Sequence, residues 1–196
     1  GSPELMDMWG KAERMVFADR DKYMADTDFV SVPLEGITSK EYAKTMTKNY
    51  DPASKLPELG KPGDPWKFDK TNKKVSHIGD TGPEHFSTTH FSTVDKEGNI
   101  VAATNTINYW FGCKIMLPDY QIFVNNQMDD FSSNPESVNA PEPGKRPLSS
   151  MSPTVMLDPQ GRSFMTLGAS GSRMILTVVA QVISNVIDHK MTMSQA

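Results

Sequence analysis

Ser87-Thr88-Thr89-His90-Phe91-Ser92-Thr93-Val94-Asp95-Lys96-Glu97-Gly98-Asn99 sets adjacent hydroxyls at the head of a β-branched and aromatic run that ends in a turn. Such side chains fit a pleated, half-buried surface. Asp95 to Asn99, with Gly98 free to take a positive φ, separates two alternating runs. Residues 87–95 and 100–108 therefore read as a β-hairpin. On its second strand Thr104, Thr106 and Asn108 share one face by the period-two rule.

The hydroxyls at the head of the hairpin raise a chemical question. A threonine hydroxyl is a weak nucleophile and needs a base within hydrogen-bond reach. His90 shares Thr88's face about 6–7 Å along the strand, but the sequence offers it no evident Asp or Asn orienter of the kind a triad uses. An N-terminal threonine would carry its own base. Its α-amine has an unperturbed pKa of about 7.7–8.0, close to operating pH. That arrangement requires the chain to be cut before Thr88.

Two further stretches accompany the hairpin: Asn125-Asn126-Gln127-Met128-Asp129-Asp130-Phe131 and Lys145-Arg146-Pro147-Leu148-Ser149-Ser150-Met151. Taken in this order with the Thr-Thr-His run, they closely resemble the γ-glutamyltransferase (γ-glutamyltranspeptidase) family. Phe17-Ala18-Asp19-Arg20 and Val32-Pro33-Leu34-Glu35-Gly36 also resemble the family's region upstream of its cut. The resemblance implies a precursor that cleaves itself between Ser87 and Thr88, with Thr88 as both processing and catalytic nucleophile. Thr88 would form a γ-glutamyl ester and pass the acyl group to an amino acid, a peptide or water, with glutathione among the donors. No cofactor or metal is expected.

A γ-glutamyl donor presents an ammonium and a carboxylate, so its pocket needs acceptors for one and donors for the other. By resemblance, Gln127 and Asp130 serve the α-amine, Ser149 and Ser150 the α-carboxylate, Asn108 the carboxyl end, and Thr106 assists the nucleophile. Plainer readings stand beside these. Alternate polar residues can be a solvated sheet face, Asp129 can be a loop or cap acid, and two serines after Pro147 can be an ordinary restricted turn.

Gly168-Ala169-Ser170-Gly171-Ser172-Arg173 lies between a strand-like run, Ser163 to Leu167, and an amphipathic segment, Met174 to Ile187. Backbone N–H groups at such a strand-to-helix turn can hold an oxyanion. The family's run is usually Gly-Ser-Pro-Gly-Gly-Ser-Arg; this chain is one residue shorter and lacks the paired glycines. Aligned from Arg173, Ser170 and Gly171 take the oxyanion positions, and a serine at the first is less free than glycine in backbone conformation. The segment Phe131 to Gly144 resembles that of members without a lid, and an open cleft of that kind would admit poly-γ-glutamate.

The chain has 196 residues, 37% of them hydrophobic, and a formal charge of −4, which fits one globular domain or part of a larger one. It has neither a basic stripe nor a long apolar run, so neither nucleic-acid binding nor a membrane span is expected. Cys113 is the single cysteine; it excludes an internal disulfide, lacks metal-site partners, and reads as a small packing residue. Gly1-Ser2-Pro3-Glu4-Leu5 resembles an expression scar followed by native helix, with no signal peptide. The family resemblance implies a secreted, periplasmic or cell-surface protein.

Three regions are expected. Residues 1–50 form a helical, large-subunit-like part; 51–87 a pre-cleavage linker rich in Pro, Gly, Lys and Asp, with His77 and His85 solvated; and 88–196 a small-subunit-like catalytic part. Leu5, Met8, Trp9, Ala12, Met15 and Val16 recur at helical spacing up to about Met24, with Met8 and Met15 as core. Asp26 to Gly36 reads as loop, after which Thr38 or Ser39 caps a second helix. Short strands near Ile115 to Met116 and Gln121 to Asn125 precede a second hairpin, Thr154 to Leu167, turning at Asp158 to Gly161. Helix 172–190 follows, burying Ile175, Val179, Val182 and Val186.

Strands framed by helices argue an α+β fold. The resemblance implies the αββα sandwich of N-terminal-nucleophile hydrolases, incomplete here, with Thr192 to Ala196 opening another helix. Two functional readings follow. One is a γ-glutamyltransferase assembled from large and small subunits of one precursor. The other is an unprocessed, catalytically inactive fragment or a non-catalytic relative, with a peptide-binding module as a remote third.

Overall fold

The first helix, α1 (Pro3–Tyr23), is set by its ends: the Ser2 hydroxyl accepts from the Leu5 N–H at 3.3 Å, Pro3 occupies the first turn, Glu4 faces the positive end of the dipole, and Arg20 and Lys22 face the negative end. The computed structural model describes residues 2–48, 50, 53, 60–70 and 87–196. Most of the expected linker, with His77 and His85, lies outside the described residues.

The buried stripe of α1 is Lys11, Met15, Asp19 and Tyr23, spaced four apart. Met15 is core as expected, whereas Met8 is 44% exposed and Val16 61%. Apolar periodicity missed the true stripe because half of it is charged. Lys11 is buried against Asp7 at 2.6 Å and lies 5.9 Å from the Tyr50 ring centroid. Asp19 accepts from the Tyr42 hydroxyl at 2.6 Å and the Gly63 N–H at 2.7 Å, while the Tyr23 hydroxyl donates to the Gly63 carbonyl at 2.7 Å. Burial raises the Asp19 carboxyl above its ordinary value, an effect these bonds partly offset.

Part of the segment expected as loop is helical: α2 (Leu34–Thr38) forms one turn before α3 (Lys40–Lys48), whose start is capped by the Ser39 hydroxyl accepting from the Tyr42 N–H at 3.0 Å. A β-carbon on Gly36 would stand 2.1 Å from the Pro65 carbonyl oxygen, so only glycine lets α2 approach the 3-10 turn Pro65–Phe68.

Two compact units divide the chain. One gathers Gly1–Gly82 with Asp130–Leu148, the other Pro83–Asp129 with Ser149–Ala196. In the first unit the downstream loop closes around Asn139, 3% exposed, whose amide donates to the Asp130 carbonyl at 2.8 Å and accepts from the Leu148 N–H at 3.0 Å.

In the second unit β1 (Thr88–Val94) pairs antiparallel with β2 (Ile100–Thr106), Thr88 opposite Thr106 and Val94 opposite Ile100. The strand ends two residues before Asn108, which takes φ 74° instead of continuing it. The two-residue strands β3 (Met116–Leu117) and β4 (Ile122–Phe123) pair next, followed by the hairpin of β5 (Thr154–Leu157) and β6 (Ser163–Leu167).

The two long hairpins turn by one device. In each, an Asp carboxylate gathers N–H groups beyond it: Asp95 from Glu97 at 3.0 Å and Asn99 at 2.8 Å, and Asp158 from Gln160 and Arg162, both at 2.9 Å. Gly98 at φ 86° and Gly161 at φ 79° complete the turns. The hairpins are tied by the Ser163 hydroxyl donating to the Gly98 carbonyl at 2.6 Å and by Ser92 against Thr166 at 3.1 Å.

Helix α4 (Met174–Ile187) covers β6, with Met165, Leu167, Ile175 and Val179 forming a buried core and Val182 and Val186 packed beside it, as the spacing predicts. It is shorter than the expected 172–190, and Thr192–Ala196 closes as a turn. Cys113 is exposed, not packed, in a loop whose neighbours Phe111, Gly112 and Lys114 all take positive φ.

Candidate active site

Pairing Thr88 with Thr106 brings the head of β1 against the end of β2, and the Ser87–Thr88 peptide sits at that junction. The Thr106 hydroxyl donates to the Ser87 carbonyl oxygen at 2.8 Å, while its own oxygen accepts the Asn108 N–H at 2.9 Å. The Ser87 hydroxyl in turn donates to the Asn108 carbonyl at 2.5 Å. Residue 87 is therefore held at both its carbonyl and its side chain. A donor already aimed at a carbonyl is the arrangement that stabilises oxyanion development on it, and the N–H feeding Thr106 polarises its hydroxyl further.

An open cleft of about 530 Å³ is lined by Ser87, Thr88, Thr106, Ser170 and Gly171 among others, with Tyr109, Trp110 and Phe111 as its aromatic wall. All four residues expected to carry the chemistry, Thr88, Thr106, Ser170 and Gly171, thus share one cleft. Among the described residues the Thr88 hydroxyl has no hydrogen-bond partner.

His90 is not placed to serve Thr88. Its Nδ1 pairs with the Thr104 hydroxyl at 2.9 Å and its Nε2 with Ser92 at 3.0 Å, so both ring nitrogens are occupied within the sheet.

The 168–173 turn bends at its downstream end. Positive φ falls on Gly171, at 126°, and on Ser172, at 54°, leaving Ser170 in ordinary backbone. No left-handed conformation is therefore asked of Ser170. The Gly171 carbonyl already accepts from the Met174 N–H at 3.0 Å, as α4 begins.

The remaining expected residues are distributed more widely. Asn108 is 7% exposed and its amide donates to the Asn126 carbonyl at 3.3 Å. Gln127 lines a neighbouring cleft of about 500 Å³ that shares Thr106 and Ile107 with the first. Ser149 and Ser150 belong to the unit of Thr88 without lining its cleft, and Asp130 belongs to the other unit. Asp129 lies within the 3-10 turn Gln127–Asp130 and accepts from the Tyr109 hydroxyl.

Sequence reasoning missed Ser87 as a held residue, Tyr109 and Asn126 as partners of the β2 end, and Asn139 as the fastener of the 130–148 loop. The Tyr109 N–H donates to the Asn126 side chain at 3.0 Å. For Ser87 a signal existed, since a hydroxyl directly before the expected cut can bond across a hairpin; for Asn139 none did. Among the described residues no group of three His, Cys, Asp or Glu side chains could hold a metal ion, and no helix is long and apolar enough to cross a membrane.

The sequence pattern described as Gamma-glutamyltranspeptidase matches residues 1–196. The glutathione hydrolase proenzyme of Escherichia coli (strain K12) is 37% identical over 211 residues, covering 100% of this chain and 33% of that protein. Among solved structures, the γ-glutamyltranspeptidase of Pseudomonas nitroreducens complexed with L-DON superposes with a TM-score of 0.52 at 41% identity, over 54% of this chain and 59% of that one. An acivicin-inhibited γ-glutamyltranspeptidase gives a TM-score of 0.50 at 43% identity, over 54% and 61%. The chain spans about a third of the length of the curated relatives it matches. Its α+β fold is that of these N-terminal-nucleophile enzymes.

Proposed function

Since the chain belongs to the γ-glutamyltranspeptidase family, we propose that the protein containing it cleaves itself between Ser87 and Thr88 and then transfers or hydrolyses γ-glutamyl groups through Thr88. The observation that carries this reading is the Thr106 hydroxyl on the Ser87 carbonyl at 2.8 Å, within one cleft with Thr88, Ser170 and Gly171.

In the first reaction the Thr88 hydroxyl oxygen adds to the Ser87 carbonyl carbon, and Thr106 stabilises the charge that develops on the oxygen. Collapse expels the Thr88 nitrogen, which takes up the hydroxyl proton, and leaves Ser87 esterified to the Thr88 oxygen. Water then splits the ester, releasing the Ser87 carboxylate and restoring the Thr88 hydroxyl beside the α-amine freed in the collapse.

In the second reaction that amine is the general base for the same hydroxyl. The Thr88 oxygen adds to the γ-carbonyl of a donor such as glutathione, the N–H groups of Ser170 and Gly171 receive the oxyanion, and the donor's amine leaves. An amino acid, a peptide or water next accepts the γ-glutamyl group from the ester. Gln127 and Asp130 serve the donor's α-amine in this reading, and Asn108, Ser149 and Ser150 its α-carboxylate. The upstream and downstream products of the cut are the two subunits.

The test is intact mass over time on the full-length protein, beside Thr88→Ala, followed by a γ-glutamyl-directed electrophile. Two fragments meeting at Ser87/Thr88, absent from the variant, with label on Thr88, are expected. An uncut, unlabelled protein would overturn the reading.

A further inference from the structure

Asp26 and Arg146 are 120 residues apart and lie on opposite sides of the proposed cut, yet they meet within one unit. The Asp26 side chain is 1% exposed. Its Oδ2 accepts from the Arg146 backbone N–H at 2.8 Å and from Nε at 2.9 Å, and its Oδ1 accepts from the other arm of the guanidinium at 2.6 Å. The Asp28 N–H adds a bond to the same carboxylate at 3.1 Å, and the Asp28 carboxylate accepts from Arg146 as well. A guanidinium fork on a carboxylate, reinforced by the main chain of the same arginine, fixes direction as well as distance.

The adjacent residue repeats the grip. Lys145, its side chain 1% exposed, pairs with Glu142 at 3.0 Å and holds its ammonium 5.8 Å from the Phe29 ring centroid. Gly144, at φ 82°, turns the chain there without filling the space before Phe29. Two consecutive basic residues from the downstream side thus hold Asp26 and Phe29 from the upstream side. Asn139 then fastens both ends of the loop they anchor, at Asp130 and at Leu148.

We infer that Asp26 and Arg146 form the clasp between the two products of the cut, keeping residues 130–148 of the downstream product seated on the upstream one and so fixing the ends of that loop, Asp130 and Leu148. This rests on the cleavage reading given above. While the chain is whole, the contact is intramolecular and its effective concentration is set by the intervening chain. Once the chain is cut the contact is bimolecular, and its bonds govern the rate of separation. Without Arg146, Asp26 would be left as a buried carboxylate lacking its counter-ion.

The experiment uses the full-length protein in two forms: one that processes itself, and one carrying Thr88→Ala with an added protease recognition sequence between residues 82 and 83, cut by that protease. In both, the upstream product is immobilised and release of the downstream product is timed at rising salt. Arg146→Met is expected to raise the release rate by about tenfold or more, Arg146→Lys by less, and neither to change the circular dichroism of the uncut chain. If Arg146→Met does not fold, Asp26→Asn decides, with faster release again expected.

Release at the wild-type rate in the protease-cut form would overturn the clasp. A wild-type protein that never cuts itself, while Arg146→Met still speeds release in the protease-cut form, would overturn the cleavage reading and leave the clasp standing as a contact of the whole chain.

Discussion

The Thr106 hydroxyl stands 2.8 Å from the carbonyl oxygen of Ser87 and donates to it, across the hairpin register that sets Thr88 opposite Thr106. A donor preorganised on the carbonyl of the bond to be broken costs no reorganisation when charge develops there. Thr106→Val keeps the shape and removes the donor. It should slow appearance of the two fragments by about 10²–10³-fold, while Thr106→Ser should stay near wild type. Intact mass against time measures both; equal rates for valine and threonine would exclude this role.

A β-carbon on Gly168 would lie 2.1 Å from His90 Nδ1, so the imidazole and the turn leading to Ser170 occupy touching space. Gly168→Ala must displace the ring from its bonds to Thr104 and Ser92 and should destabilise by about 1–3 kcal/mol as an overpacking change. His90→Ala opens the space. The double variant should therefore be less destabilised than the sum of the two singles, a coupling expected only between groups in contact. Denaturant midpoints of the four proteins measure it, and strict additivity would refute the contact.

Much of the hairpin unit was legible because its signals are local. Asp95 to Asn99 and Asp158 to Gly161 form the turns that their residues dictate, and Ile175, Val179, Val182 and Val186 take the face that a 3.6-residue period assigns them. The first unit was harder to read. Its α1 stripe includes Lys11 and Asp19, whose burial depends on Asp7, Tyr50, Tyr42 and Gly63, and no apolar pattern encodes those partners. The site divides in the same way. Thr88, Thr106, Ser170 and Gly171 were named from short runs and line one cleft, whereas Asn139 bonds residues nine positions away on either side and Asp26 meets Arg146 120 residues on, and no local pattern encodes either.

Asn139 fastens the two ends of the 130–148 loop through one amide, at 2.8 Å to the Asp130 carbonyl and 3.0 Å from the Leu148 N–H. Asn139→Ala leaves both groups without that partner, at a cost of about 1–3 kcal/mol for each one left buried. Slack at the loop ends loosens Asp130 and the residue after Leu148, both proposed for donor binding. KM for a γ-glutamyl donor should rise more than kcat falls. The opposite split, with KM unchanged, would detach this loop from donor binding.

Asp26 gives a pH dependence whose sign is fixed. The Arg146 guanidinium, first through its side-chain bonds and then through its backbone N–H, holds the Asp26 carboxyl well below the usual carboxylate range. A depressed folded value means that the stabilisation is fully present above the unfolded aspartate value of about 3.9 and is lost as pH falls through the folded one. Arg146 stays protonated throughout, so the acid loss belongs to Asp26. Asp19 is shifted upward and acts in the opposite direction, but it is common to wild type and Asp26→Asn and cancels between them. The melting-temperature advantage of wild type over Asp26→Asn should be level from pH 7 to pH 5 and shrink steadily below the aspartate range. An advantage that persists or grows in acid would show that the carboxylate is not what the arginine holds.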